Sequence, residues 1–172
     1  MSRTSTTHLA ALAAGTVLLL AGCSSPTSGD SKPQPASPST ASPAANASSA
    51  YKALAAAVPS ATGSAPVTAE SDPNHLLGRP GQYTSKITFK DGRIKPDDTQ
   101  GVEAGDVSLG GAIEAFASAA DAQTRATYIQ TVTKGMPALA EYDYVHGATL
   151  VRVSRLLTPE QAGEYKTALE KQ

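Results

Sequence analysis

The side chains able to do chemistry are thinly spread along this chain of 172 residues. The densest group is "EYDYVHG", which gathers Tyr142, Asp143, Tyr144 and His146. Two phenols, a carboxyl and an imidazole in so short a stretch suit ligand contact, or acid–base work by His146 with Asp143 beside it. The plainer assignment puts the tyrosines in a core or on a sheet face and leaves Asp143 and His146 to a turn, since no nucleophile or second histidine is near in sequence. Asp97, Asp98, Glu103 and Asp106 form an acidic stretch without a basic residue between Lys95 and Arg125. Hard cations take such oxygens, but the spacing does not fit the D-x-[DN]-x-[DN]-G loop, and a solvated loop is the expectation. His8, His75 and His146 are isolated and have no cysteine partner, so neither a metal nor a cofactor is expected. "GDVSLG" misses the G-x-S-x-G spacing by one residue, and Ser49-Ala50-Tyr51-Lys52 meets S-x-x-K without its companion motifs. No G-x-G-x-x-G and no Walker loop occurs.

The remaining reactive group is the lone thiol, Cys23. It follows Arg3 and the apolar run "LAALAAGTVLLL", which is too short to cross a hydrocarbon core of roughly 20 residues' length. A positive flank and a short apolar run are the plan of a secretory signal. The run ends in Leu20-Ala21-Gly22-Cys23, which resembles the lipobox of bacterial lipoproteins: an aliphatic residue, two small residues and the cysteine. A thiolate is a strong nucleophile. The resemblance implies that Cys23 accepts a diacylglyceryl group and that cleavage before it removes residues 1–22 as a signal peptide. The mature chain would then carry two or three acyl chains at its first residue. One acyl chain, at about 0.8 kcal/mol per buried methylene, holds only marginally, whereas two or more hold firmly. The expected location is the extracytoplasmic face of the cell membrane, lipid-anchored. A plain secretory signal is the alternative, and it would leave an exported thiol without a partner in the chain.

Beyond Cys23 the composition divides the chain. Seven of the eight aromatic residues lie between Tyr83 and Tyr165, and from Asp72 onward there are 11 basic against 13 acidic residues. That balance lacks the positive excess needed to neutralise phosphates, so nucleic acid is not an expected partner. Residues 23–71, rich in Ser, Pro, Ala and Thr, read as a disordered tether with a typical span of roughly 35–40 Å. Within it "YKALAAAVP" reads as at most one short helix. Residues 72–172 read as the folded domain, of about 100 residues.

In that domain Asp72-Pro73 reads as a helix start closed by Gly78. "YTSKITFK" alternates as a half-buried strand with Tyr83, Ile87 and Phe89 on one face. "VSLGGAIEAFA" is a second strand, with Gly110-Gly111 marking a bulge or a close backbone approach. Ser118 and Asp121 open a helix whose stripe is Ala122, Ala126, Ile129, Val132 and Met136. A hairpin turns at His146-Gly147, and Thr158-Pro159-Glu160-Gln161 starts a last helix. The expected fold is α+β in the order β-β-α-β-β-α: one antiparallel sheet of about four strands with two helices on one face. Lys86, Glu114 and Arg152 then share the open face, read as a solvated mixed-charge surface or a partner-binding one.

"DPNHLLGRPGQYTSK", "GGAIEAF" and "EYDYVHG…LVRVS…LTPEQAGEY" resemble a recurring type of small actinobacterial lipoprotein with no assigned activity. That resemblance implies a tethered domain and transfers no catalytic residue. The functional expectation is a non-enzymatic module that binds a protein or cell-envelope component through the open sheet face or the Tyr142–His146 stretch. The alternative is a small extracytoplasmic hydrolase or ligand-processing enzyme using that same stretch.

Overall fold

A computed structural model describes residues 45–172 of the chain. The signal segment, Cys23 and the first part of the tether lie outside the described residues. The fold is α+β, with one antiparallel sheet of five strands in the order β1-β2-β3-β5-β4 and three helices. The strands are β1 (Ala61–Pro66), β2 (Ser85–Asp91), β3 (Gly110–Ala115), β4 (Glu141–His146) and β5 (Thr149–Ser154). The helices are α1 (Ala47–Ala57), α2 (Ala119–Lys134) and α3 (Pro159–Glu170).

Two elements correct the expected boundaries. Residues 47–66, assigned to the tether on composition, supply a helix and an edge strand of the fold. The Asn46 side chain caps α1 by accepting from the backbone N–H groups of Ser48 and Ser49. Ala47, Ala50, Leu54 and Val58 then bury at helical spacing beside β2 and α3. Strand β1 hides only Ala61 and is held by its backbone ladder to β2, which slips between Thr62 and Ala65 where Gly63 takes a positive φ. Asp72, by contrast, opens no helix. Its carboxylate accepts from the N–H groups of Asn74, Leu76 and Leu77 and shapes an irregular turn.

The layering also differs from the expected single covered face. α1 and α3 pack with Ile87, Phe89, Ile113, Val151 and Val153 on one side of the sheet. α2 covers the other side with Ala122, Ala126 and Ile129 against Leu150 and Phe116, joined there by Tyr83. Strand β3 is consequently buried along its whole length. β2 is buried on both faces rather than half-buried, with Lys90 its exposed residue. Tyr83 precedes β2 and turns into the α2 side, away from Ile87 and Phe89.

The local signals for α2, α3 and the hairpin match the structure. Ser118 Oγ accepts from Asp121 N at 3.1 Å, and Gly135 ends α2. Thr158 and Gln161 form a reciprocal capping box around Pro159. Gly147 takes positive φ in the two-residue link between β4 and β5. At Gly111 the close approach is real: a Cβ there would sit 2.5 Å from Cζ of Phe89, its cross-strand partner, and would also meet the Arg152 carbonyl. In α2 the buried stripe runs through Ala122, Arg125, Ala126 and Ile129, then through half-buried Thr133, leaving Val132 and Met136 exposed.

Limited proteolysis of the mature chain is expected to leave a resistant core beginning near Ala45, and one beginning near Ser71 would contradict this architecture. Leu54→Ala is expected to lower the unfolding free energy by about 2–5 kcal/mol, as a fully buried leucine packed between helix and sheet requires.

Candidate functional site

On the α2 side, successive strands bring charged residues into one layer. Cross-strand register pairs Lys86 with Glu114, and Arg152 with both Ala112 and Asp143, while Glu141 and Asp143 alternate along β4 with Tyr142 and Tyr144, which face the α1–α3 side. Glu114, on the central strand β3, is wholly buried and receives three cations. Arg152 Nη1 donates to Oε1 at 3.1 Å, Arg125 Nε donates to Oε2 at 3.2 Å, and Lys86 Nζ lies 3.3 Å from Oε1. Burial alone would raise the Glu114 pKa, and the charges of Arg152, Lys86 and Arg125 outweigh it and hold the carboxyl below its usual range. Arg152 also grips Glu141 side-on, through Nε at 2.7 Å and Nη2 at 3.0 Å. At the other end Lys86 Nζ is 4.0 Å from Asp72, whose carboxylate accepts the Tyr83 hydroxyl at 2.7 Å. Burial lowers the Lys86 pKa, and the nearby Glu114 charge works against that shift. The surface expected to be solvated is thus a buried network closed by Arg125 of α2 and by the turn at Asp72.

Asp143 completes the layer differently. Both its oxygens are shut from solvent, and neither accepts a hydrogen bond from the described residues. Burial first, and then the Glu141 charge, push its pKa up to about 7. The charge count of the network gives the reason. Asp72, Glu114 and Glu141 already balance Lys86, Arg125 and Arg152, and a fourth carboxylate would be surplus in a buried layer.

The Tyr142–His146 stretch is therefore split rather than convergent. Tyr142 and Tyr144 pack against the α1–α3 core, and the Tyr142 hydroxyl donates to the Leu157 carbonyl at 3.4 Å. Asp143 faces the network, and His146 is exposed at the hairpin. Asp97, Asp98, Glu103 and Asp106 are exposed, and Asp106 caps the short turn Val107–Leu109 by accepting from Ser108 N at 2.7 Å. Among the described residues no three metal-binding side chains gather.

Open clefts ring the network, each touching one of its cations. Arg125 lines a cleft of about 410 Å³ with Leu76, Gln82, Thr124 and Tyr128. Arg152 lines one of about 540 Å³ with Glu141, Ser154, Arg155, Val107 and Leu139. Lys86 lines a third of about 390 Å³ with Val67, Ser71, Thr88 and Asp106. None of these three is lined by Tyr142, Asp143, Tyr144 or His146. In each the network cation is already engaged by a carboxylate, while Arg155, on the wall of the second cleft, donates from Nε to the Ala138 carbonyl at 3.1 Å.

Sequence reasoning placed Lys86, Glu114 and Arg152 together but missed Arg125, Glu141 and Asp72 as their partners. The available signal was Arg125 itself, set three residues from Ala122 and four from Ile129 on the stripe that had to face the sheet. No family model matches the chain, and no curated protein or solved structure shows significant similarity to it.

Glu114→Gln keeps the shape of the side chain and removes the charge that three cations share. The expected loss is about 3–5 kcal/mol in urea unfolding at pH 7. Asp143 predicts a pH dependence of definite sign. With its folded pKa raised above the unfolded value, the native state holds the extra proton between about pH 4 and 7, so stability falls as pH rises through that window. Thermal melts from pH 5 to 8 should show this decline in the parent and a flatter profile in Asp143→Asn; parallel profiles would refute the assignment.

Proposed function

We propose that this chain is a lipid-anchored extracytoplasmic module that works by binding, held to the membrane through Cys23. The location rests on Leu20-Ala21-Gly22-Cys23 at the end of the apolar run. The spacer that follows is shorter than composition implied. With the fold beginning at α1, residues 24–46 separate Cys23 from the domain.

One observation carries the binding role: among the described residues, the large apolar side chains that remain exposed all belong to α2 and the turn after it. They are Tyr128, Val132, Met136 and Leu139, between 39% and 60% exposed. Scattered exposed apolar residues are ordinary, whereas their confinement to one ridge is the mark of a contact surface. The ionisable groups are meanwhile occupied with one another in the buried layer, which favours binding over catalysis at this face. The Tyr142–His146 stretch, dispersed over two faces and a hairpin, offers the alternative hydrolase no arranged acid–base pair.

Cys23→Ser in the full chain is expected to abolish incorporation of radiolabelled palmitate and to move the protein from the membrane fraction to the medium, with the signal still recognised. An intact mass showing an unmodified thiol at Cys23 in the parent would overturn the anchoring.

A further inference from the structure

Asp143 is a carboxyl whose surroundings leave it without a counter-ion. It stands on β4, an edge strand paired with β5 alone. Its cross-strand neighbour is Arg152, yet the three guanidinium nitrogens of Arg152 bond elsewhere, Nε and Nη2 to Glu141 and Nη1 to Glu114. Both Asp143 oxygens are closed to solvent and receive no donor among the described residues. The other charges around this face of β4 are committed too. Lys86 of β2 lies against Glu114 and Asp72, and Arg125 of α2 donates to Glu114. Elsewhere on α2, Asp121 accepts from the Ser118 hydroxyl in the first turn and Lys134 is exposed in the last. Arg155, after β5, donates to the Ala138 carbonyl. α3 packs on the opposite face of β4 with Tyr142 and Tyr144, and its charged residues are exposed. His146 alternates onto that opposite face and is exposed at the hairpin.

An ionised Asp143 would thus be an uncompensated buried anion, and a carboxyl so placed takes up a proton instead. The protonated group needs an acceptor. Glu141 stands two residues away on the same face of β4, within hydrogen-bonding reach, and Arg152 holds it in place. One proton, donated by Asp143 to Glu141, satisfies both carboxyls. Its loss would set two anions side by side with a single arginine between them. Of the strands in this layer, β2, β3 and β5 each have two neighbours and β4 has one, so β4 is the strand that can yield. Its His146 end is tied to β5 by the two-residue link, whereas its Glu141 end follows the turn Pro137–Leu139 and lines the cleft of Arg152 and Arg155.

We infer that the proton shared by Asp143 and Glu141 is a pH-sensitive latch on β4: with it the strand stays closed on β5, and without it the Glu141 end peels away and widens the cleft beside Arg152 and Arg155. The direction follows from the raised Asp143 pKa, about 7. The closed form holds the proton that the open form gives up, so the latch is firm in mild acid and loosens as pH rises to 7.

Hydrogen exchange of the acylated full chain in detergent micelles tests this. The register sets the N–H groups of Tyr142 and Tyr144 against β5. After correction for intrinsic rates, their exchange should rise roughly tenfold or more between pH 5 and 7. It should also stay faster than that of Ile113 on the central strand and depend only weakly on low urea, as a local opening requires. Asp143→Asn, which can still donate to Glu141, should hold the slow rate at both pH values. Glu141→Gln frees Arg152 to pair with Asp143 and should likewise remove the rise, whereas a purely structural role for Glu141 would leave the rise in place. A rise that persists in either variant, no rise in the parent, or β4 amides at pH 7 as protected as that of Ile113 would overturn the latch. Infrared spectra of the parent give a check that needs no variant: the carbonyl stretch of a protonated carboxyl should be present at pH 6 and gone by pH 8, and its absence at pH 6 would overturn the shared proton.

Discussion

The buried carboxylate of Glu114 constrains the rest of the fold. It stands on the central strand of the sheet, where an ionised side chain without partners would cost several kcal/mol. Three cations from three separate elements converge on it: Lys86 from β2, Arg152 from β5 and Arg125 from α2. Two of these lie on the strands flanking β3, so the network ties the centre of the sheet together sideways. The third comes from the crossover helix, so the same carboxylate fixes how α2 lies on the sheet. A buried ion cluster is weak support for stability in itself, but it is exacting about register. Slipping β3 by one residue would carry Glu114 through to the apolar α1–α3 side, where Ile113 and Val151 now pack.

A core with two phenylalanines and no tryptophan depends on such polar fastenings elsewhere too. Two buried carboxylate–phenol pairs do comparable work on opposite sides of the sheet. Asp72 accepts the Tyr83 hydroxyl and three backbone N–H groups, which closes the loop before β2 against α2. Asp91, at the end of β2, accepts the Tyr165 hydroxyl at 2.5 Å and three guanidinium contacts from Arg93, which in turn reaches Glu164. In both cases burial would raise the carboxyl's pKa and the surrounding donors bring it below the usual range. Each tyrosine also fills volume: Tyr165 stacks on Phe89, and Tyr83 meets Phe116 edge-on. The phenols thus act as core side chains and as hydrogen-bond donors at once.

Sequence patterns revealed the elements with strong local signals and missed those whose signal is in small residues or in tertiary cover. Caps, periodicity and turn glycines located α2, α3 and the β4–β5 hairpin, and the glycine pair before Ala112 marked a true close approach. The buried stripe of α1 is alanine apart from Leu54 and Val58, so its period barely rises above the surrounding Ala-rich chain. β1 shows no alternation because an edge strand held by backbone hydrogen bonds needs none. The charged face of the sheet was legible residue by residue, but whether water or α2 covered it depended on the path of the crossover between β3 and β4. The same dependence misplaced Val132 and Met136, which continue an apolar series in sequence while the helix turns Thr133 towards the sheet.

Burial of the charges and exposure of the apolar ridge belong to one arrangement. α2 is a helix of mostly small and polar residues, and its grip on the sheet combines alanine contacts with the Arg125–Glu114 pair. Had Tyr128 and Val132 occupied the sheet-facing stripe, the helix would have had the larger apolar contact and no need of an ion. Instead Arg125 is directed inward, its guanidinium 5.7 Å from the Tyr128 ring and 6.0 Å from that of Tyr83, so Tyr128 shields the edge of the network while exposing its other face. The domain thereby turns charge inward and apolar surface outward along a single helix.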